Sequence, residues 1–343
     1  MKISVIMPTY NSGKHIGITL DSLFRQTFKD MELIIVDSES SDDTLEIIEL
    51  YKSSNMPIKL INTSYCSPAI ARNIGMEAAT SDYLSFCDSD DKMKPDMLES
   101  LYEAATNSKA DITVCDFDMV YDDRRIERFA NIVNNEFLPV GSDVIDYYYL
   151  YSAAPKPNNY VWSRLYRREF LKDIKAFFPD TRYSEDNIFN LSILLMKPKI
   201  MHIGRALYEY LQHENSAMRT HIKKSNHGVL FLDAFHKAFE VLKEEHESIR
   251  EPILAIYAYT RVRSILFYSW QANQSDLETS LALDAFISDD LVKKHLYICI
   301  DKNYISRYCK MHNFSDEWER IICEMIYACL GIGVMPNMSE VFG

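Results

Sequence analysis

Short apolar, β-branched runs alternate with amphipathic stretches along the first third of the chain. Ile3–Met7, Leu33–Val36, Ile58–Ile61, Tyr83–Cys87 and Asp111–Cys115 read as buried strands. Between the first two, His15–Gln26 carries Ile16, Leu20, Leu23 and Phe24 at helical spacing. Ser41, Asp42 and Asp43 supply a cap and first-turn acids for a helix to about Tyr51. Pro68 and Pro95 open two more helices. This alternation predicts an α/β fold: a mostly parallel sheet covered by helices on both faces.

From about Tyr121 the pattern becomes irregular. Ser142 and Asp143 cap a helix with Val144, Tyr147, Tyr148 and Tyr151 on one face. Ala153–Asn159 reads as a loop. Glu185-Asp186 opens an apolar helix through Leu195, stopped by Lys197-Pro198, and Ile200–Ile203 is a short strand. Beyond about Lys224 the pattern is helical throughout: Leu232, Phe235, Phe239 and Leu242 share a face, Pro252 opens a helix, and Ser275 with Glu278 forms a capping box. Ser288-Asp289 and Ser315 start two more. The expected division is residues 1–224 and an α-helical C-terminal module, 225–343.

Composition narrows the class. Thirty-seven basic against fifty acidic residues give a net charge of −13, which argues against general nucleic-acid binding. The seven cysteines form no C-x-x-C pair and are odd in number, so they read as reduced thiols of a cytoplasmic protein. No apolar run reaches the roughly 20 residues of a membrane span; Ile321–Met335 comes closest and contains Glu324.

In sheets of this kind ligands sit outside the carboxyl ends of the strands. The polar clusters fall there: Pro8-Thr9-Tyr10, Asp37-Ser38 and Asp88-Ser89-Asp90-Asp91. Three carboxylates within four residues repel one another. A hard divalent cation would explain them, and so would a solvated turn capping the next helix.

Taken together, Ile3–Asn11, Ile34-Ile35-Val36-Asp37, Ala71-Arg72-Asn73-Ile74-Gly75, Tyr83–Asp91 and Tyr183–Phe189 resemble the motif order of family 2 glycosyltransferases of the GT-A fold. The resemblance covers roughly the first 220 residues. It implies an inverting transferase moving a sugar from a nucleoside diphosphate, UDP in the first instance, to a hydroxyl of a glycan, lipid-linked or protein-linked acceptor. Tyr10 offers a flat face for the base, presented by a loop that Pro8 fixes. Asp37 is implied to accept from the uracil N–H, and Arg72 to lie near the donor phosphates. Asp88 is expected at the ribose hydroxyls and Asp90 at a Mn²⁺ or Mg²⁺ ion. Asp186 is the expected general base, with Glu185 orienting the acceptor. His213, in the segment implied to return to the diphosphate, is a metal ligand or a phosphate donor. Asp91 binds the acceptor or caps a helix. Trp162 with Tyr160 walls the acceptor or belongs to the core.

The chain departs from the family pattern at Asp37-Ser38-Glu39-Ser40, where Glu39 replaces a glycine in a turn that favours positive φ. A nucleotidyltransferase would need a basic, glycine-rich loop after the first strand, and Pro8–Gly13 lacks it. A non-catalytic sugar-binding relative would not need Glu185-Asp186 beside the acidic turn. The C-terminal helices are expected to complete the acceptor site, to dimerise, or to rest on the inner face of a membrane as a peripheral contact, with Lys223-Lys224 and Lys293-Lys294 as basic hints.

Overall fold

The computed structural model describes residues 1–52, 56–123, 125–129, 137–139, 144–153, 159–181, 183–213, 227–271, 275–312 and 314–331. The chain divides into two compact units. The first is Met1–Ser142, Asn158–Thr181 and Glu185–His213; the second is Asp143–Pro157, Arg182–Ser184 and Glu214–Gly343. The boundary expected near residue 224 lies in 214–226, outside the described residues, as do Lys223-Lys224.

The first unit is one twisted sheet with helices. Strands β1 (Ile3–Thr9), β2 (Met31–Ser38), β3 (Ile58–Thr63) and β4 (Tyr83–Phe86) form a parallel block in the order β3-β2-β1-β4. The helices between them are α1 (Ile16–Phe24), α2 (Thr44–Lys52) and α3 (Pro68–Ala78). All seven residues of β1 are buried, as a strand covered on both faces requires. The sheet then becomes mixed. β9 (Arg164–Arg167) enters antiparallel between β4 and β6 (Ile112–Tyr121), and β6 pairs parallel with β10 (Lys199–Gln212). Two-residue β5 (Lys92–Met93), β7 (Ile126–Phe129) and β8 (Phe137–Pro139) add antiparallel edges, and α4 (Met97–Ser108) follows β5.

The short strand expected at Ile200–Ile203 is the start of the 14-residue β10, whose register slips between Ile203 and Tyr208. The irregularity at Gly204-Arg205 breaks the alternation, so only the first half reads as a strand.

In the second unit, the helix His227–Leu242 buries Phe231, Phe235 and Leu242. The long helix Glu247–Gln271 starts one turn earlier than expected and contains Pro252 rather than opening at it. The capping box is present: Ser275 accepts from the Glu278 N–H while Glu278 returns to the Ser275 N–H. Asp289 caps Asp290–Asp301, Ser315 caps Asp316–Cys329, and a helix not foreseen, Tyr304–Met311, lies between them. Among the described residues, no helix is long and apolar enough to cross a membrane.

Candidate active site

Helix α3 is seated directly on β1. A Cβ on Gly75 would fall 2.3 Å from Ile6 Cγ2, so only glycine allows this approach. Arg72, one turn earlier, is thereby held beside the end of β4, with its side chain only 4% exposed. Asn73 fixes the opposite side: its Nδ2 donates to the Phe178 carbonyl and its Oδ1 accepts from the Phe178 N–H, both at 2.8 Å. The Phe178 ring stacks on Phe189 of α7 (Glu185–Leu195) at 3.8 Å and 3°. This chain of contacts sets the first turn of α7 against Arg72.

The result is a four-residue cluster. Arg72 Nη2 donates to Asp88 Oδ1 at 2.8 Å, and Nη1 donates to Glu185 Oε1 at 3.0 Å and Asp186 Oδ1 at 3.2 Å. Burial works against the Arg72 charge, but Asp186, Asp88 and Glu185 outweigh it and hold the guanidinium firmly protonated. Burial raises the Asp186 carboxyl to about 7, with Glu185 and Asp88 adding repulsion against the attraction of Arg72. Asp186 Oδ2 also accepts from the Val161 N–H at 3.3 Å. Asp88 is likewise raised, by burial first, then by Asp90 and Glu185 against Arg72. Arg72, expected at the donor phosphates, here gathers the carboxylates of two motifs separated by about a hundred residues.

The other half of the acidic turn faces β10. Asp90 Oδ2 lies 2.9 Å from His213 Nε2. The His213 ring stacks on His15 at 4.2 Å and 15°. Sequence reasoning treated His15 only as the start of α1. Its signal is its place a few residues past the end of β1, where a strand-end ligand group would sit. Burial lowers the His15 pKa, and the adjacent His213 lowers it further against the attraction of Asp90.

Asp91 and Trp162, each given two readings above, both lie in the interior. Asp91 is completely buried, where its carboxylate accepts from Tyr208 Oη and the Leu211 N–H, both at 2.8 Å. Its oxygens are turned to these interior donors, and the residue at the start of α4 is Asp96. Trp162 is 2% exposed and lies between Tyr160, at 4.6 Å, and Tyr208, at 4.2 Å, in parallel stacks. It is core.

At the ends of β1 and β2, Pro8 and Thr9 pair with Val36 and Asp37. Tyr10 is 49% exposed, with Tyr65 edge-on at 5.0 Å. Tyr65 is a second aromatic that the sequence reading passed over. Asp37 is buried and its two oxygens accept from the Ser40 N–H (2.9 Å) and Ser40 Oγ (2.6 Å). That turn survives the loss of glycine, because Glu39 itself adopts φ +64° and its Oε2 accepts from the Tyr65 N–H at 3.2 Å. Among the described residues, no group of three or more His, Cys, Asp or Glu side chains surrounds a common point.

Residues 4–175 match the profile described as glycosyl transferase family 2. The chain belongs to that family. The family 2 glycosyltransferase is 32% identical over 233 residues to the glycosyltransferase EpsJ of Bacillus subtilis (65% of this chain, 67% of that protein). It is 28% identical over 214 residues to the poly(ribitol-phosphate) beta-N-acetylglucosaminyltransferase TarS of Staphylococcus aureus, of which it spans 35%. In three dimensions it is similar to S. aureus TarS 1–349 in complex with UDP-GlcNAc, with a TM-score of 0.69 at 21% identity, covering 96% of this chain and 92% of that one. A mannosyltransferase from Pyrobaculum calidifontis aligns with a TM-score of 0.54 at 17% identity, covering 96% and 86%. The first unit thus has the GT-A fold expected from the motif order, and the family 2 glycosyltransferase transfers sugar from a nucleotide-sugar donor.

Proposed function

We propose that the donor is a UDP-sugar carrying a hexosyl or N-acetylhexosaminyl group, and that transfer to an acceptor hydroxyl proceeds with inversion, with Asp186 as the base. The observation that carries this reading is the Asp186 carboxyl, raised to about 7 and fixed between Arg72 and the Val161 N–H. A base with a pKa near the working pH combines adequate ionisation with adequate proton affinity. The UDP-GlcNAc and UDP complexes of TarS support the choice of nucleotide.

The Asp186 carboxylate takes the proton of the acceptor hydroxyl as the acceptor oxygen bonds to the anomeric carbon. The bond from that carbon to the diphosphate oxygen breaks, its electrons leave with the nucleoside diphosphate, and the configuration inverts. Glu185 holds the acceptor. Arg72 keeps Asp88, Glu185 and Asp186 together despite their mutual repulsion. Tyr10 and Tyr65 flank the base, Asp37 accepts from its ring N–H, and Asp88 meets the ribose.

Asp90 and His213 fit a divalent cation: a carboxylate oxygen and an imidazole nitrogen converge within 2.9 Å. A pair rather than a closed set of ligands is also what Mg²⁺ or Mn²⁺ takes when substrate phosphates complete its shell. When bound, the ion supplies positive charge to the departing diphosphate.

Calorimetry with a panel of UDP- and GDP-sugars, with and without Mn²⁺, tests the reading. Tight binding and slow hydrolysis of one UDP-sugar are expected only with the metal, and Asp90→Ala should abolish the metal dependence. A protein that neither binds nor turns over any member of the panel with Mn²⁺ present would fit a non-catalytic relative instead.

A further inference from the structure

In the second unit, Arg261 on the helix Glu247–Gln271 contrasts with Arg72. Its guanidinium lies 4.9 Å from the Tyr257 ring centroid and 5.4 Å from that of Phe231. Among the described residues, Arg261 Nη1 donates to Ser184 Oγ at 3.2 Å. Arg261 Nε is buried without a partner among the described residues. Burial works against its charge, the groups that favour it are tyrosines (Tyr257, Tyr183, Tyr148 and Tyr268), and no carboxylate pairs with it among the described residues. Ring faces return only part of the hydration that a buried guanidinium gives up, and such a cation ordinarily keeps a counter-ion.

Two neighbours supply further donors. Ser184 stands at φ +63°, a left-handed conformation costly for serine and typical of functional positions. The Tyr257 hydroxyl is buried, with Arg261, the Ser184 side chain and the Asp233 carboxylate as its polar neighbours. Arg261, Ser184, Tyr183 and Tyr268 are each partly exposed, so the cluster is open to solvent at its rim. Donors converging from a guanidinium edge and two hydroxyls suit a tetrahedral oxyanion better than a planar carboxylate, which one guanidinium edge alone satisfies.

We propose that Arg261, Ser184 and Tyr257, all in the second unit, form a binding site for a phosphate monoester.

The test uses the full chain with its donor site saturated by UDP and Mn²⁺. Inorganic phosphate, glycerol 3-phosphate, glycerol and acetate are each titrated while thermal stability is followed. Saturable stabilisation by glycerol 3-phosphate is expected, with none from glycerol. Arg261→Gln should weaken it tenfold or more. Ser184→Ala and Tyr257→Phe should each weaken it severalfold, which keeps the test decisive if Arg261→Gln does not fold. Absence of saturable stabilisation by glycerol 3-phosphate overturns the proposal, as does equal stabilisation by acetate or a response to inorganic phosphate alone. UDP binding serves as the separate control: intact UDP binding without a phosphate ester response sinks this site only, whereas failure to bind UDP sinks the transferase reading.

Discussion

Replacing Arg72 with glutamine removes a cation that three partly buried carboxylates share. Breaking a buried pair by deleting one partner costs about 3–5 kcal/mol, because the charge left behind is desolvated and unpaired. Here Asp88, Glu185 and Asp186 all lose their counter-ion and repel one another. For a unit of this size about 2–4 °C of melting temperature accompanies each kcal/mol, so a fall of roughly 10 °C is expected at pH 8. The sign with pH follows from linkage. Without Arg72, the native-state pKa values of Asp88 and Asp186 rise further above their unfolded values, so the native state binds more protons. The variant's stability is therefore best preserved at acidic pH and is lost as pH rises through its native carboxyl pKa values, Asp186 starting from about 7 in the native protein. Melting curves between pH 5 and 9 check this, together with the pH profile of donor hydrolysis, whose midpoint should move upward. A variant that melts with the native protein across that range, with the same kinetic midpoint, would refute the argument that Arg72 holds the cluster together.

Native turnover should rise with pH through about 7, as Asp186 ionises, and Asp186→Asn should lower kcat by roughly 10²- to 10⁴-fold while leaving UDP affinity within about twofold, read by steady-state kinetics and calorimetry. Glu39→Gly relieves a left-handed glutamate and should raise stability by about 0.5–1 kcal/mol, discounted for the lost Tyr65 N–H bond; chemical denaturation measures it.

The parallel block was legible because each of its strands is a short apolar run bounded by polar residues. β9 was not: its four residues include Arg164 and Arg167, and nothing local shows that their charges are partnered while Leu165 and Tyr166 are buried. The strand ends were legible as ligand sites because topology places ligands there whatever the residues. Arg72 illustrates the limit. Its helix and its proximity to the site could be read, but partners 113 and 114 positions away in sequence could not. Trp162 had two readings at equal weight, and only its stacked tyrosine neighbours decide for the core. Glu39 misled through a sound rule: glycine takes positive φ more cheaply, yet Ser40 bonding to Asp37 and Glu39 bonding to Tyr65 hold the turn regardless.

The buried Asp91 works as a gauge block. Its carboxylate clamps the Leu211 N–H and Tyr208 Oη, while Asp90 precedes it by one residue and His213 follows Leu211 by two. Any displacement at this carboxylate passes to both jaws of the Asp90–His213 pair with little chain between to absorb it. The tolerance of the pair is therefore set at a completely buried residue, and asparagine there would place an N–H₂ where the carboxyl oxygens meet the Tyr208 and Leu211 donors. Variation that leaves every ligand-facing side chain intact can still detune the site from below.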